Sequence, residues 1–222
     1  MSKIALLAAA SAIAISAGSQ AAVQSPVQSS RGFDVHATRL SITVPGVKTL
    51  YSQNNDDAGV AVISQNFESS MSIYDAQGAD DFVVPKGKTW TVEEVDITGV
   101  YFNGSGPAAS ENVTFYADSN GLPGKQIAAI TKAKGADNGG SFAIKIHAVK
   151  LKPGHYWVSV GANCSFVTCG EWGWELRSVQ ANDMAAYQAP GGSGPCTTWQ
   201  PLDVCFGNGT PPDFMFALKG SK

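Results

Sequence analysis

The chain has 222 residues, of which 44% are hydrophobic and only 15% charged, and its 15 basic residues face 18 acidic ones for a net charge of −3. The lysines are scattered singly, with "TKAKG" the nearest approach to a cluster, so the basic stripe that counterion-release binding to nucleic acid requires is missing. With 24 glycines and 11 prolines punctuating short apolar runs, the composition suits an all-β domain rather than a helical bundle or coiled coil.

In chain order, residues 1–21 read as a secretory signal peptide: Lys3, an apolar run from Ile4 to Ala17, and small residues at Ser19 and Ala21 before a cleavage point. The apolar run is shorter than a bilayer span needs. Losing Lys3 with the leader moves the net charge from −3 to −4. The mature protein is expected to be secreted or periplasmic, monomeric, and without a membrane span. Residues 22–37 lack apolar periodicity and read as a lead-in, which leaves 38–222 as a single β-sandwich domain.

Strand signals then recur, each with period two. "TRLSITV" alternates Leu40, Ile42 and Val44; "NVTFYA" alternates Val113, Phe115 and Ala117; "SFAIKIH" alternates Phe142, Ile144 and Ile146; "HYWVSV" alternates Tyr156, Val158 and Val160. In "TWTVEEVDITGVYF" the apolar parity shifts from even (Trp90, Val92) to odd (Val95, Ile97), which predicts a β-bulge at Glu93–Glu94 or a change of strand. "DSNGLPG", from Asp118 to Gly124, predicts a tight turn. "NNDD" at 54–57 and "DAQGADD" at 75–81 read as acidic loops.

All four cysteines lie in the last third, and an even count in an exported chain points to disulfides. Three pairings are possible. The sequential one, Cys164 with Cys169 and Cys196 with Cys205, is favoured because each pair brackets a short loop that a tight turn closes. The spacing does not match a structural zinc site.

"SIYDAQGADDFVVPKGKTWTVEEVDITGVYF", "NVTFYADSNGLPG", "LKPGHYWVSV" and "CTTWQPLDVC" together resemble exported bacterial β-sandwich domains with an A-D-D-F motif, a F-Y-x-D-x-x-G-L-P-G turn and a P-G-x-Y-W-V-S-V strand. The resemblance covers roughly residues 49–218. It implies a jelly-roll-like antiparallel sandwich similar to the modules of surface-anchored proteins and of secreted enzymes, and it supplies no catalytic residues.

The chemistry-bearing residues narrow the functional classes. "GGSGP" and "NGSGP" do not complete a nucleophile elbow, and His36, His147 and His155 form no metalloprotease motif, so His147 and His155 are expected at solvent-facing strand ends. Loop oxygens offer a calcium site in Asp56, Asp57, Asp80, Asp81, Asp118 and Asn120, without a full ligand spacing. "CGEWGWELR" puts Trp172 and Trp174 on one strand face: either core, which the charged opposite face favours, or a stacking platform for sugar. Trp199, inside the Cys196–Cys205 loop, is a separate ligand candidate. The expectation is a non-catalytic sandwich that binds a polysaccharide or cell-surface glycan, or serves a structural envelope role. A small secreted hydrolase is the rival.

Overall fold

A computed structural model describes residues 47–222, so the expected leader, the lead-in over 22–37 and the strand over 38–44 lie outside the described residues. The described chain is an antiparallel β-sandwich. One sheet runs in the order β1 (Lys48–Ser52), β16 (Phe216–Ser221), β5 (Trp90–Ile97), β10 (Ser141–Leu151) and β9 (Gly135–Asn138). The facing sheet runs β14 (Gln200–Pro201), β13 (Ala186–Gln188), β4 (Gln77–Val84), β11 (Gly154–Asn163), β7 (Ser110–Asp118) and β8 (Pro123–Ala133). A two-residue strand, β3 (Gln65–Asn66), pairs in parallel with the end of β11.

Successive strands β4 and β5 enter different sheets and pair with β11 and β10, which are also successive. A long hairpin is thereby folded over the core, which gives the sandwich its jelly-roll character. Between the sheets, Phe82 stacks on Trp90 with centroids 6.2 Å apart and meets Phe115 edge-on at 6.4 Å, while Val95, Ile144, Val158, Val160 and Leu218 are fully buried around them. These side chains occupy the apolar parity that period two assigns to each strand.

The parity shift in β5 is a bulge. Glu94 pairs with Lys219 but Val92 pairs with Gly220, so Glu93 has no partner of its own and both glutamates stay off the core face. "DSNGLPG" closes the β7–β8 hairpin: Ser119 N–H donates to Leu122 O at 2.9 Å, and Asn120 and Gly121 take φ of 58° and 76°. Positive φ at both central residues is the type I′ turn whose twist matches the flanking strands, and Asn-Gly is its preferred pair.

The expected acidic loop over 75–81 is corrected: from Gln77 onward it is strand β4, in the middle of the larger sheet. Aspartate is a poor strand former, but here the buried hydrogen bonds described below override the propensity. "CGEWGWELR" forms β12 (Glu171–Arg177) in a third, smaller sheet with β2 (Asp57–Ile63), β6 (Gly99–Phe102) and β15 (Asp213–Phe214).

Trp172 and Trp174 have no exposed surface. The Trp172 indole donates to Gly140 O at 2.7 Å and packs on Phe142 at 5.1 Å; the Trp174 indole donates to Met215 O at 2.9 Å and stacks on Phe214 at 4.5 Å. A Cβ built on Gly99 would lie 2.7 Å from the Trp172 ring, so glycine is needed there for the indole to fit. The platform reading of these two residues is therefore corrected to core. No helix among the described residues is long and apolar enough to cross a membrane.

Candidate functional site

The outer face of the larger sheet gathers the chemistry. In β4 the alternation turns Phe82 and Asp80 inward and Asp81 outward; in β11 it turns Tyr156 and Val158 inward and His155 and Trp157 outward. Register places Asp81 opposite Trp157, and Trp157 opposite Tyr116 of β7. Trp157 is fully buried although it faces away from the main core. Period two puts Trp157 on the opposite face of "HYWVSV" from Tyr156 and Val158, so one of the two faces is expected to be less buried, but Ala79, Ala186, Tyr116, Leu122 and Trp199 form a second small apolar cluster over that indole.

Beside this cluster stands His155, with 27% of its side chain exposed. It is not a solvent-facing strand end: its Nε2 is hydrogen-bonded to Oδ2 of the fully buried Asp81, and its ring lies nearly parallel to that of Trp157, with centroids 6.3 Å apart. The Asp81 carboxylate also accepts Asp183 N–H at 3.0 Å and Asn182 Nδ2 at 3.4 Å. Burial raises the Asp81 pKa, opposed by the Asp183 N–H and by His155.

On the other ring nitrogen, Nδ1 faces Asp118 Oδ1 at 3.8 Å and Asp183 Oδ2 at 3.9 Å. Asp118 is held by two donors on Oδ1, Trp157 Nε1 at 3.0 Å and Gly121 N–H at 3.1 Å. A serine hydroxyl at Nδ1 would be needed to complete a hydrolytic triad; carboxylate oxygens occupy that place instead.

The expected calcium ligands separate into four places. Asp81 and Asp118 converge on His155. Asp56 instead meets Arg177 Nη2 at 3.4 Å, and Asp57 Oδ1 accepts Gly59 N–H at 2.8 Å, both at the start of β2. Asn120 serves the hairpin turn. Asp80 is locked in the interior, where it accepts Gln53 Nε2 at 2.7 Å, Asp81 N–H at 2.7 Å and Phe214 N–H at 2.5 Å. The six do not form one site, because adjacent residues of a strand point to opposite faces and the 56–57 segment belongs to another sheet.

Asp80 belongs to a buried charge network with Asp213 and Arg177, whose Nη1 lies 3.5 Å from Asp213 Oδ2. Burial raises the Asp80 pKa well above the ordinary carboxylate range, and Asp213 adds to it. Burial also pushes Asp213 up to about 7, against the opposing Ala181 N–H and Arg177.

Trp199 is half-buried and meets Tyr116 edge-on at 6.0 Å. It lies in the loop closed by Cys196 and Cys205, whose Cα atoms are 5.6 Å apart; Cys164 and Cys169, at 6.2 Å, form the other predicted pair, and no free cysteine is present among the described residues.

No protein-family model and no curated protein matches the chain. Among solved structures, it is similar to the clostridial cysteine protease Cwp84 after propeptide cleavage (TM-score 0.46, 12% identity, 66% of this chain and 36% of that one). It is also similar to the cysteine protease and lectin-like domains of Cwp84, a surface layer associated protein of Clostridium difficile (TM-score 0.42, 12% identity, 66% and 32%). The chain thus spans about a third of the length of those proteins, and at these values neither likeness bears on function.

Proposed function

We propose that this is an exported, non-catalytic β-sandwich that binds carbohydrate of a cell surface or matrix on the outer face of its larger sheet. The observation that carries the reading is the half-buried Trp199, set against Tyr116 and continuous, through Trp157, with a histidine and the two partly exposed carboxylates of Asp118 and Asp183. A pyranose offers an apolar face and a rim of hydroxyls. An aromatic surface bordered by acceptors matches both, because the ring covers the C–H face while the carboxylates take the O–H donors. Two disulfides fit the oxidising compartments to which exported proteins go.

The test is retention of the oxidised protein on insoluble polysaccharides and a glycan array, with Trp199→Ala alongside. Retention of the parent and its loss in Trp199→Ala, with the melting transition still cooperative, is the expected result. Equal retention of both proteins, or none of the parent on any glycan, overturns the reading.

A further inference from the structure

We infer that His155 Nδ1, Asp118 and Asp183 form a binding site for a divalent transition-metal ion, with Asp81 as the buried carboxylate that orients the imidazole from behind. This goes beyond the saccharide reading and does not depend on it.

The argument begins with the two ring nitrogens. Nε2 is engaged by Asp81, which has no exposed surface and is itself fixed by the Asp183 N–H and by Asn182. A hydrogen bond from Nε2–H to Asp81 leaves the Nδ1 lone pair as the free valence of the ring. That lone pair faces two more oxygens, at 3.8 and 3.9 Å. Both distances are too long for hydrogen bonds from a protonated Nδ1, so the ring does not neutralise these carboxylates by direct contact.

A metal bonded to nitrogen and oxygen at roughly 2.0–2.2 Å sets its ligand atoms about 3.4 Å apart at a tetrahedral angle. Asp183 Oδ2 needs to close on Nδ1 by about 0.5 Å, within the reach of one side-chain torsion, whereas Asp118 has to turn its second oxygen toward the ion. Asp183 is free to make that move, since 47% of its side chain is exposed. Asp118 holds its two hydrogen bonds on Oδ1, which leaves Oδ2 open to a cation.

Charge supports the same conclusion. Among the described residues no lysine or arginine nitrogen lies within 4.0 Å of Asp81, Asp118 or Asp183, so the His155 imidazole is the one basic side chain beside them. A dication between Nδ1 and the two outer carboxylates balances Asp118 and Asp183. A carboxylate on the far nitrogen of a metal-bound histidine fixes its tautomer and raises its basicity, and Asp81 occupies that position. Gly121 completes the fit: a Cβ there would meet the Asp183 carboxyl carbon at 3.3 Å, at a positive φ of 76° that disfavours any side chain.

The donor set also selects the ion. Imidazole suits zinc and its transition-metal neighbours, whereas calcium takes six to eight oxygens. Three protein ligands leave a further position for water or an exchangeable ligand.

The experiment is isothermal titration of the chelator-treated, oxidised protein with Zn2+, Mn2+ and Ca2+, in parallel with Asp183→Asn, His155→Ala and, as a control, His147→Ala. One saturable Zn2+ per chain is expected, weakened at least tenfold in Asp183→Asn and His155→Ala and unchanged in His147→Ala. Asp183→Asn is the decisive variant, because its half-exposed side chain can change without disturbing the core, and circular dichroism checks the fold directly. Absence of saturable zinc binding, binding indifferent to Asp183→Asn, or calcium bound as tightly as zinc with the same residue dependence each overturns the assignment. No sugar enters the measurement, so its failure is distinct from failure of the polysaccharide test.

Discussion

Trp174→Ala removes one of the two largest side chains of the small sheet. An indole buries about 150–250 Å², and truncation to alanine forfeits roughly 150 Å² of it, worth about 4 kcal/mol at 25 cal/mol per Å². The hydrogen bond from its Nε1 to Met215 O adds about 1 kcal/mol, and the Met215 carbonyl then remains buried without that donor. The expected loss of about 5 kcal/mol sits at the top of the range for large-to-small core changes. It is comparable with the entire stability of a marginal domain. The variant is therefore best compared by urea denaturation at low temperature. Trp174→Phe, which keeps an aromatic ring against Phe214, is expected to lose only about 2 kcal/mol. A loss below about 1 kcal/mol for Trp174→Ala, at unchanged m-value, would show that the indole does not carry the packing assigned to it.

Three other measurements follow. Non-reducing peptide mapping should return Cys164 with Cys169 and Cys196 with Cys205, and opening the two short loops should cost about 2 and 3 kcal/mol on the chain-entropy relation; any cross-pairing contradicts the structure. Asp213 has a pKa raised to about 7 in the folded state, so its protonated form is favoured by folding: its contribution is full below about pH 4 and is lost as pH rises through 7. Unfolding free energy of the parent should thus fall more steeply between pH 5 and 8 than that of Asp213→Asn, and equal slopes would place the titration elsewhere. Trp199→Ala, at a half-buried site, should lower stability by no more than about 2 kcal/mol, and a loss as large as that of Trp174→Ala would make it a core residue instead.

Much of the fold was legible because strand alternation is local. The bulge at Glu93–Glu94, the Asn120–Gly121 turn, the burial of Trp172 and Trp174 that the charged opposite face favoured, and the cysteine pairing all follow from residues within a few positions of one another. The candidate site was not legible in this way. Asp81 and His155 are 74 residues apart and meet only because β4 and β11 are neighbours in register. Period two does say that His155 shares a face with Trp157 and that Asp80 and Asp81 diverge. It cannot say that a later segment covers that face, so Trp157, on the outward parity, ends up as buried as Val158. Reading "DAQGADD" as a loop failed for a related reason: two aspartates lower strand propensity, and only partners far along the chain, Gln53, Phe214 and Asp183, restore it.

The pairing of β1 with β16 has a consequence for how the molecule comes into being. Lys48 lies opposite Gly220, and β16 is not an edge but sits between β1 and β5. The smaller face of the sandwich therefore cannot close from one end as the chain emerges: one flank of β5 waits for a neighbour more than a hundred residues later, and the first described strand has no other strand to pair with until then. Pairings of such long range are slow, because loop-closure entropy comes due before the contacts that offset it. Until residues 216–221 arrive, β1 and that flank of β5 remain unpaired, so this sheet is completed only by the last strand to be made.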